Sequence, residues 1–383
     1  MKVLHLTGES QDAGGVLSVI RQLQKATQSQ DWSHTVWVHQ SFSETRQPAL
    51  TYRFSPHVCA DSSNHLRILF GACRAFISLR RLLSREHFDI LHAHTRSTLI
   101  VGLMAARLLR RSVLFTNHNF ATRVGLYRWA ATQPNFSMVL LTPNMARHYG
   151  LVNSPPRISI ISACCADAMF AEPLASRKRS LNPAHPLRLV GLGSVVRWKN
   201  WHLLLQAFLH LAKTDLQQIQ FLHWGPTLSD RNSRRYEGEL REIVARNQLE
   251  KSVRFNGPAS AIASCLRECD WFVLPSTNEP CSVALIESLA LGVPALVSAS
   301  GGNTDIVEDG KSGLLFDPEN ELDLAAKLAR VLRDDIRLLP PAKIRESVRQ
   351  RSAARVANEY VALYRRLIER DARQTPIHGP VSK

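Results

Sequence analysis

The feature that most constrains this chain is an alternation of short apolar runs with helical patterns, present once in each half. In the first 165 residues the runs fall at 3–6, 35–38, 90–93, 113–116, 138–142 and 158–161. They are rich in Val, Ile and Leu, as strands covered on both faces require. Between them, segments such as 16–26 and 99–109 place apolar residues every three or four positions, the period of an amphipathic helix. Strand and helix in strict alternation predict a parallel, doubly wound sheet. From 171 to 186 the pattern stops in a stretch of Ser, Lys and Arg broken by Pro173, Pro183 and Pro186, which discourages regular structure. It then resumes, with strands expected at 187–191, 220–223, 253–255, 271–274, 295–297 and 314–316 and helices at 201–212, 237–247 and 283–291.

A chain of 383 residues also exceeds the size at which one core stops growing. The expected layout is therefore α/β, with two doubly wound, Rossmann-like domains at 1–170 and 187–345 joined by the linker 171–186. A helical pattern over 346–371 carries an apolar stripe of Val348, Ala354, Val356, Tyr360, Leu363, Tyr364 and Leu367 and is expected to pack back on the N-terminal domain. The patternless stretch 372–383 is expected to be a disordered tail.

Charge and cysteine content narrow the classes of function. The net charge of +16 draws anions to the surface, and nucleotide phosphates, anionic lipid and nucleic acid are the three kinds that compete. Basic residues cluster at Arg74, Arg80, Arg81 and Arg85, at Arg107, Arg110 and Arg111, and from Arg333 to Arg370. The first two clusters sit on helical patterns rich in Leu, Ile and Phe, which suits peripheral contact with an anionic membrane as well as an ordinary solvated face. Met1 to Gly8 lacks a secretory apolar region, and no apolar stretch approaches the roughly 20 residues of a spanning helix. Seven cysteines, an odd number without C-x-x-C, read as reduced thiols. A cytoplasmic protein is expected, one that could work at the inner face of the membrane.

The chemistry concentrates after residue 270. The run Trp271-Phe-Val-Leu-Pro-Ser276 leads through Thr-Asn-Glu279-Pro-Cys281 to a helix opening at Ser282 and closing at Gly292-Val-Pro294. Ser282 is expected to cap that helix, leaving the N–H groups of Val283 and Ala284 free to meet a phosphate. Glu279 and Glu287 flank this helix start. Two carboxylates there suit hydroxyl groups better than phosphate, and a nucleotide-sugar offers hydroxyls on both sides of its diphosphate. Taken alone, the pair reads more readily as solvated acids at a helix end.

This stretch, continued by Ser300-Gly301-Gly302-Asn-Thr-Asp305-Ile-Val-Glu308-Asp-Gly310-Lys-Ser-Gly313-Leu-Leu-Phe316-Asp-Pro318, closely resembles the C-terminal domain of glycosyltransferase family 4. The resemblance implies the GT-B fold, two Rossmann-like domains facing a central cleft, and sugar transfer with retention. It implies that Glu287 binds the ribose hydroxyls and Glu279 the donor sugar, with the backbone of Cys281, Ser282 and Val283 near sugar and diphosphate. Ser282 departs from the glycine of many members. Gly193-Ser194 followed by Arg197 and Lys199 resembles the family's glycine loop and basic pair, which neutralises the departing diphosphate. Lys199 matches the family lysine, whereas the usual arginine is Ser194 here and Arg197 stands three residues on. Gly225 and Asn256 match positions near the nucleotide, although Pro226 departs from the family's usual residue.

In the first half, Gly14 and Gly15 resemble the family's glycine pair facing the donor phosphates, and the segment ending in His118 resembles the strand whose histidine lies near the reacting sugar. His94 belongs to the strand pattern before it. No carboxylate or thiolate shares the register of His92, His94 and His118, so no metal is expected, and no cofactor besides the nucleotide-sugar, which is a substrate. There is no Asp-x-Asp triplet, P-loop or G-x-S-x-G motif.

Together these features imply a retaining transferase that moves a hexose from a UDP- or GDP-sugar to a glycan or lipid-linked acceptor in polysaccharide or cell-envelope synthesis, with no nucleic-acid partner. His118, Glu279, Lys199 and Arg197 are the catalytic candidates, and Gly14, Gly15, Gly193, Gly225, Asn256, Cys281, Ser282, Val283 and Glu287 the donor-binding ones. A sugar-nucleotide epimerase or hydrolase of the same fold, or a non-catalytic nucleotide- or membrane-binding protein, are the rival readings.

Overall fold

The computed structural model describes residues 1–8, 15–28, 30–44, 50–57, 65–152, 157–175, 186–259 and 261–374. The chain forms two compact units, residues 1–164 with 353–383 and residues 165–352. The first holds seven strands: β1 (Lys2–Leu6), β2 (Ser33–His39), β3 (Thr51–Ser55), β4 (Ile90–Ala93), β5 (Val113–Asn117), β6 (Phe136–Leu140) and β7 (Ile158–Ile160). They pair in the order β3-β2-β1-β4-β5-β6-β7, all parallel. The second holds β8 (Leu187–Leu192), β9 (Ile219–Trp224), β10 (Val253–Phe255), β11 (Trp271–Leu274), β12 (Ala295–Ser298) and β13 (Gly313–Phe316), in the order β10-β9-β8-β11-β12-β13 and again parallel. Each sheet therefore reverses its winding once, at β1/β4 and at β8/β11. Ligands of doubly wound sheets bind beyond the carboxyl ends of the strands at that reversal.

Every strand expected from the sequence forms, with no end moved by more than two residues. The unforeseen one, β3, reads Thr-Tyr-Arg-Phe-Ser and lies at the sheet edge with mostly exposed or half-buried side chains. An edge strand needs no continuous apolar run, so it left no such signal.

The C-terminal pattern is not one helix. It divides into a helix at Pro341–Ser347, a short turn at Arg349–Arg351 and a helix at Ala353–Gln374. Val348 closes the first of these and belongs to the second unit, so it leaves the expected stripe. Ala354 is exposed and Ala353 and Ala357 take the buried positions. Val356, Tyr360, Leu363, Tyr364 and Leu367 pack with Val3, Ile90, Leu114 and Val139 of the first sheet, which ties the last helix into the N-terminal unit. That unit ends at Cys164 rather than at residue 170, because Cys165 bridges Ser352 and the carbonyls of Phe170 and Glu172 accept from Arg345. Positions 176–185 of the expected linker and 375–383 of the expected tail lie outside the described residues, and the last helix takes in 372–374.

Candidate functional site

At the β8/β11 reversal the second unit assembles most of the residues singled out above. Glu279 is buried in the loop after β11, where its Oε2 accepts from Lys199 Nζ at 2.6 Å and from Ser276 Oγ at 3.1 Å. Lys199 reaches it from the turn Arg197–Lys199, which Asn200 ends in left-handed backbone at φ 59°. The loop of Glu279 is held from behind: Gly302 N–H donates to its carbonyl oxygen at 2.7 Å. Gly301 has φ 57°, and a Cβ there would stand 2.4 Å from that same oxygen, so the close approach requires glycine.

Beyond this loop lies the helix Val283–Ala290. Ser282 caps it as expected, its Oγ accepting from Leu285 N–H at 3.2 Å. The N–H groups of Val283 and Ala284 are left without partners among the described residues, an anion-binding arrangement. Cys281 is buried just before the cap. Glu287 is half-buried on the same helix; its carboxyl has no hydrogen bond or ion pair among the described residues, and burial pushes it up to about 7.

The turns after β8, β9 and β10 interlock beside this group. Gly193 N–H donates to Trp224 O at 3.0 Å, Gly225 N–H to Gly257 O at 2.7 Å and Asn256 N–H to His223 O at 2.9 Å. Gly225 sits so close to Gly193 that a Cβ would lie 1.9 Å from the Gly193 carbonyl oxygen. His223, which was not singled out from the sequence, supports this junction by donating from Nε2 to Gly193 O at 2.9 Å. Burial holds its pKa near 4, so it is neutral. A histidine within the strand run Ile-Gln-Phe-Leu-His-Trp was its only signal.

Arg197 does not join Lys199 and Glu279. Its guanidinium pairs with Glu239 and lies 5.0 Å from the centre of the Tyr236 ring. It faces outward, with a side chain 62% exposed against 11% for Lys199.

In the first unit, Gly14 lies outside the described residues and Gly15 begins the helix Gly15–Thr27. His118 follows β5 and His94 follows β4, so both stand at the carboxyl edge next to the β1/β4 reversal. They share a hydrogen bond of 3.2 Å between His118 Nε2 and His94 Nδ1, and burial lowers the His118 pKa to about 4. Behind them stand the buried rings of His5, His34 and His92. One ring nitrogen from each of His5, His92 and His94 falls within 4.8 Å of the others, a cluster that could hold a metal ion. Both nitrogens of each of these rings already have hydrogen-bond partners.

Comparison with known proteins covers both units. The profile of the family described as glycosyl transferases group 1 matches residues 175–353, and that of Glycosyltransferase Family 4 matches residues 13–153. A putative colanic acid biosynthesis glycosyltransferase, WcaL of Salmonella typhimurium, is 30% identical over 188 residues, 46% of this chain and 42% of WcaL. The match thus spans less than half of that relative's length. The Escherichia coli UDP-Gal:alpha-D-GlcNAc-diphosphoundecaprenol alpha-1,3-galactosyltransferase is 26% identical over 315 residues, 74% of this chain and 75% of that protein. Among solved structures, sucrose-phosphate synthase from Thermosynechococcus elongatus superposes with a TM-score of 0.79 at 18% identity, over 97% of this chain and 100% of that one. Anabaena HepE in complex with UDP-glucose gives 0.67 at 17% identity, over 98% and 100%. These likenesses show that the fold is GT-B.

Proposed function

Because the chain belongs to glycosyltransferase family 4, we propose that it transfers a hexose, with retention, from a UDP- or GDP-sugar to a glycan or lipid-linked acceptor. The observation that carries this reading is the partnerless, half-buried carboxyl of Glu287 beside the open helix start at Val283 and Ala284. A fold gains nothing in stability from such an acid, whereas a ribose diol would satisfy it with two hydroxyl donors. The helix start and Lys199 take the diphosphate, and Glu279 takes a sugar hydroxyl.

In the reaction the bond between the anomeric carbon and the diphosphate oxygen breaks and negative charge gathers on the leaving phosphate. The acceptor oxygen bonds to the anomeric carbon, and its proton passes to the departing diphosphate oxygen. Lys199 and the N–H groups of the helix start stabilise the growing charge before it forms, because they are already oriented by Glu279 and the Ser282 cap. Arg197, engaged with Glu239, has no part in this step. His118 in the first unit contributes a contact to a sugar hydroxyl.

The test is donor binding by titration calorimetry over a panel of nucleotide-sugars: Glu287→Ala loses binding of the preferred donor, and unchanged affinity would overturn the assignment. Transfer to a labelled acceptor, with no conversion when acceptor is left out, separates this activity from an epimerase or hydrolase.

The helix His65–Leu83 favours an anionic membrane as the place of work. Leu66, Leu69, Phe70 and Ile77 are exposed on it beside Arg74, Arg80 and Arg81, and no helix among the described residues is long and apolar enough to cross a membrane. Sedimentation with vesicles containing phosphatidylglycerol checks this, and Phe70→Glu lowers the bound fraction. Equal binding to purely zwitterionic vesicles would refute the charge component.

A further inference from the structure

Four histidines of the first unit form one continuous hydrogen-bonded file across neighbouring strands. His34 lies on β2, His5 on β1, His94 just past β4 and His118 just past β5, in the spatial order of the sheet. His118 Nε2 meets His94 Nδ1 at 3.2 Å, His94 Nε2 meets His5 Nδ1 at 2.9 Å, and His5 Nε2 meets His34 Nδ1 at 2.9 Å. The file ends where His34 Nε2 meets Thr27 Oγ1 at 3.0 Å, at the end of the helix Gly15–Thr27. His5, His34 and His94 are buried. His92 stands beside the file, its centroid 4.0 Å from that of His94, and is engaged with Tyr364 and Thr116.

The direction of the file is set at Thr27. Its hydroxyl has one hydrogen, and the nearest acceptor is the carbonyl of Leu23 at 2.8 Å, with that of Gln24 at 3.4 Å, the usual back-bond of a helical threonine. A hydroxyl that donates there accepts from His34, which then carries its proton on Nε2. A neutral imidazole has one N–H, so His34 Nδ1 accepts from His5 Nε2–H, His5 Nδ1 accepts from His94 Nε2–H, and His94 Nδ1 accepts from His118 Nε2–H. Burial lowers the pKa of all four rings, so the neutral form on which this sequence of donors depends is the one present near pH 7.

We propose that this file is a tautomer relay: Thr27 and the three buried histidines are positioning residues that hold His118 with its proton on Nε2 and a bare acceptor at Nδ1. His118 Nδ1 has no partner among the described residues, and it presents a lone pair, never an N–H, to whatever approaches. The relay accordingly selects a hydroxyl that donates toward His118, and it does so from a residue three strands away in the sheet. The kinetic consequence rests on the contact of His118 with a sugar hydroxyl given above, whereas the tautomer itself does not.

The experiment is long-range proton–nitrogen correlation NMR on the full chain labelled with 15N-histidine, in wild type, Thr27→Val and Thr27→Ser. The wild type is expected to show His118 and the three buried rings each as a single Nε2–H tautomer. Thr27→Val, which removes the acceptor that sets the direction, gives His118 a mixed population, and Thr27→Ser restores the single form. A wild-type His118 protonated on Nδ1, or a Thr27→Val spectrum identical to wild type, overturns the relay. Stoichiometric zinc uptake that shifts His5, His92 and His94 also overturns it, in favour of a metal site. Transfer kinetics read the second link: kcat falls about tenfold in Thr27→Val with donor KM unchanged and recovers in Thr27→Ser. Unchanged kcat beside the expected spectra would leave the relay standing and remove His118 from the reaction.

Discussion

Glu287→Gln should make the ligand-free protein more stable while destroying its affinity for donor. The carboxyl titrates near 7 in the folded chain against an ordinary value of 4.5, so the folded state holds the proton more tightly than the unfolded one. Stability is then greatest below about pH 4.5 and declines as pH rises through 7, where the buried acid is forced to ionise. At about 1.4 kcal/mol for each tenfold change in proton affinity, that interval amounts to about 3 kcal/mol of destabilisation at pH 8. Glutamine keeps the shape and carries no charge at any pH, so the variant should gain up to about 3 kcal/mol over wild type at pH 8 and nearly nothing at pH 4.5. Urea unfolding of both proteins across that range measures the difference. A variant less stable than wild type at pH 8, or a difference that does not shrink toward pH 4.5, would refute the physical account of this residue. Ligand binding gives an independent check. Hydroxyl donors favour the carboxylate form, so donor affinity should rise with pH up to about 7 and complex formation near neutrality should release protons, visible as buffer-dependent heats in calorimetry.

The other parts of the site answer to simpler changes. Lys199→Met leaves Glu279 buried without its cation and should cost about 3–5 kcal/mol together with most of the turnover; adding Glu279→Leu should recover the stability but not the turnover, as thermal unfolding and transfer assays would show. Gly301→Ala forces a methyl group against the Glu279 carbonyl oxygen in left-handed backbone, so it should lower kcat and cost about 1–3 kcal/mol, whereas the same change at exposed Gly238, where a Cβ meets nothing within 4 Å, should do neither. Arg197→Gln removes an exposed pair with Glu239 and a ring contact with Tyr236 and should change stability by about 1 kcal/mol, with donor affinity within twofold of wild type; a large loss of affinity would bring Arg197 back to the diphosphate.

Much of this could be read in the sequence, for a physical reason that also explains what could not. Strands buried on both faces and the glycine, proline and serine at the ends of the helix Val283–Ala290 are local requirements, met by residues next to one another in the chain. So the two sheets, the Ser282 cap and the free N–H groups after it were all foreseeable. The partner of Glu279 was not, because the lysine that meets it stands eighty positions away, and spacing says nothing of which of two nearby cations turns inward. Lys199 does so and Arg197 does not, since Glu239 and Tyr236 on a different helix hold the latter. The histidine file is the extreme case. Its members come from two strands and from the positions just past two more, and its polarity from a threonine hydroxyl bonded to its own helix, so even with His118 singled out nothing along the chain links it to His5 or His34. Only a lateral view across β2, β1, β4 and β5 joins them. The file runs diagonally, advancing two residues at each strand, since Val36 and His92 are the residues directly opposite His5, and such a diagonal of titratable residues couples positions that no motif written along the sequence can contain.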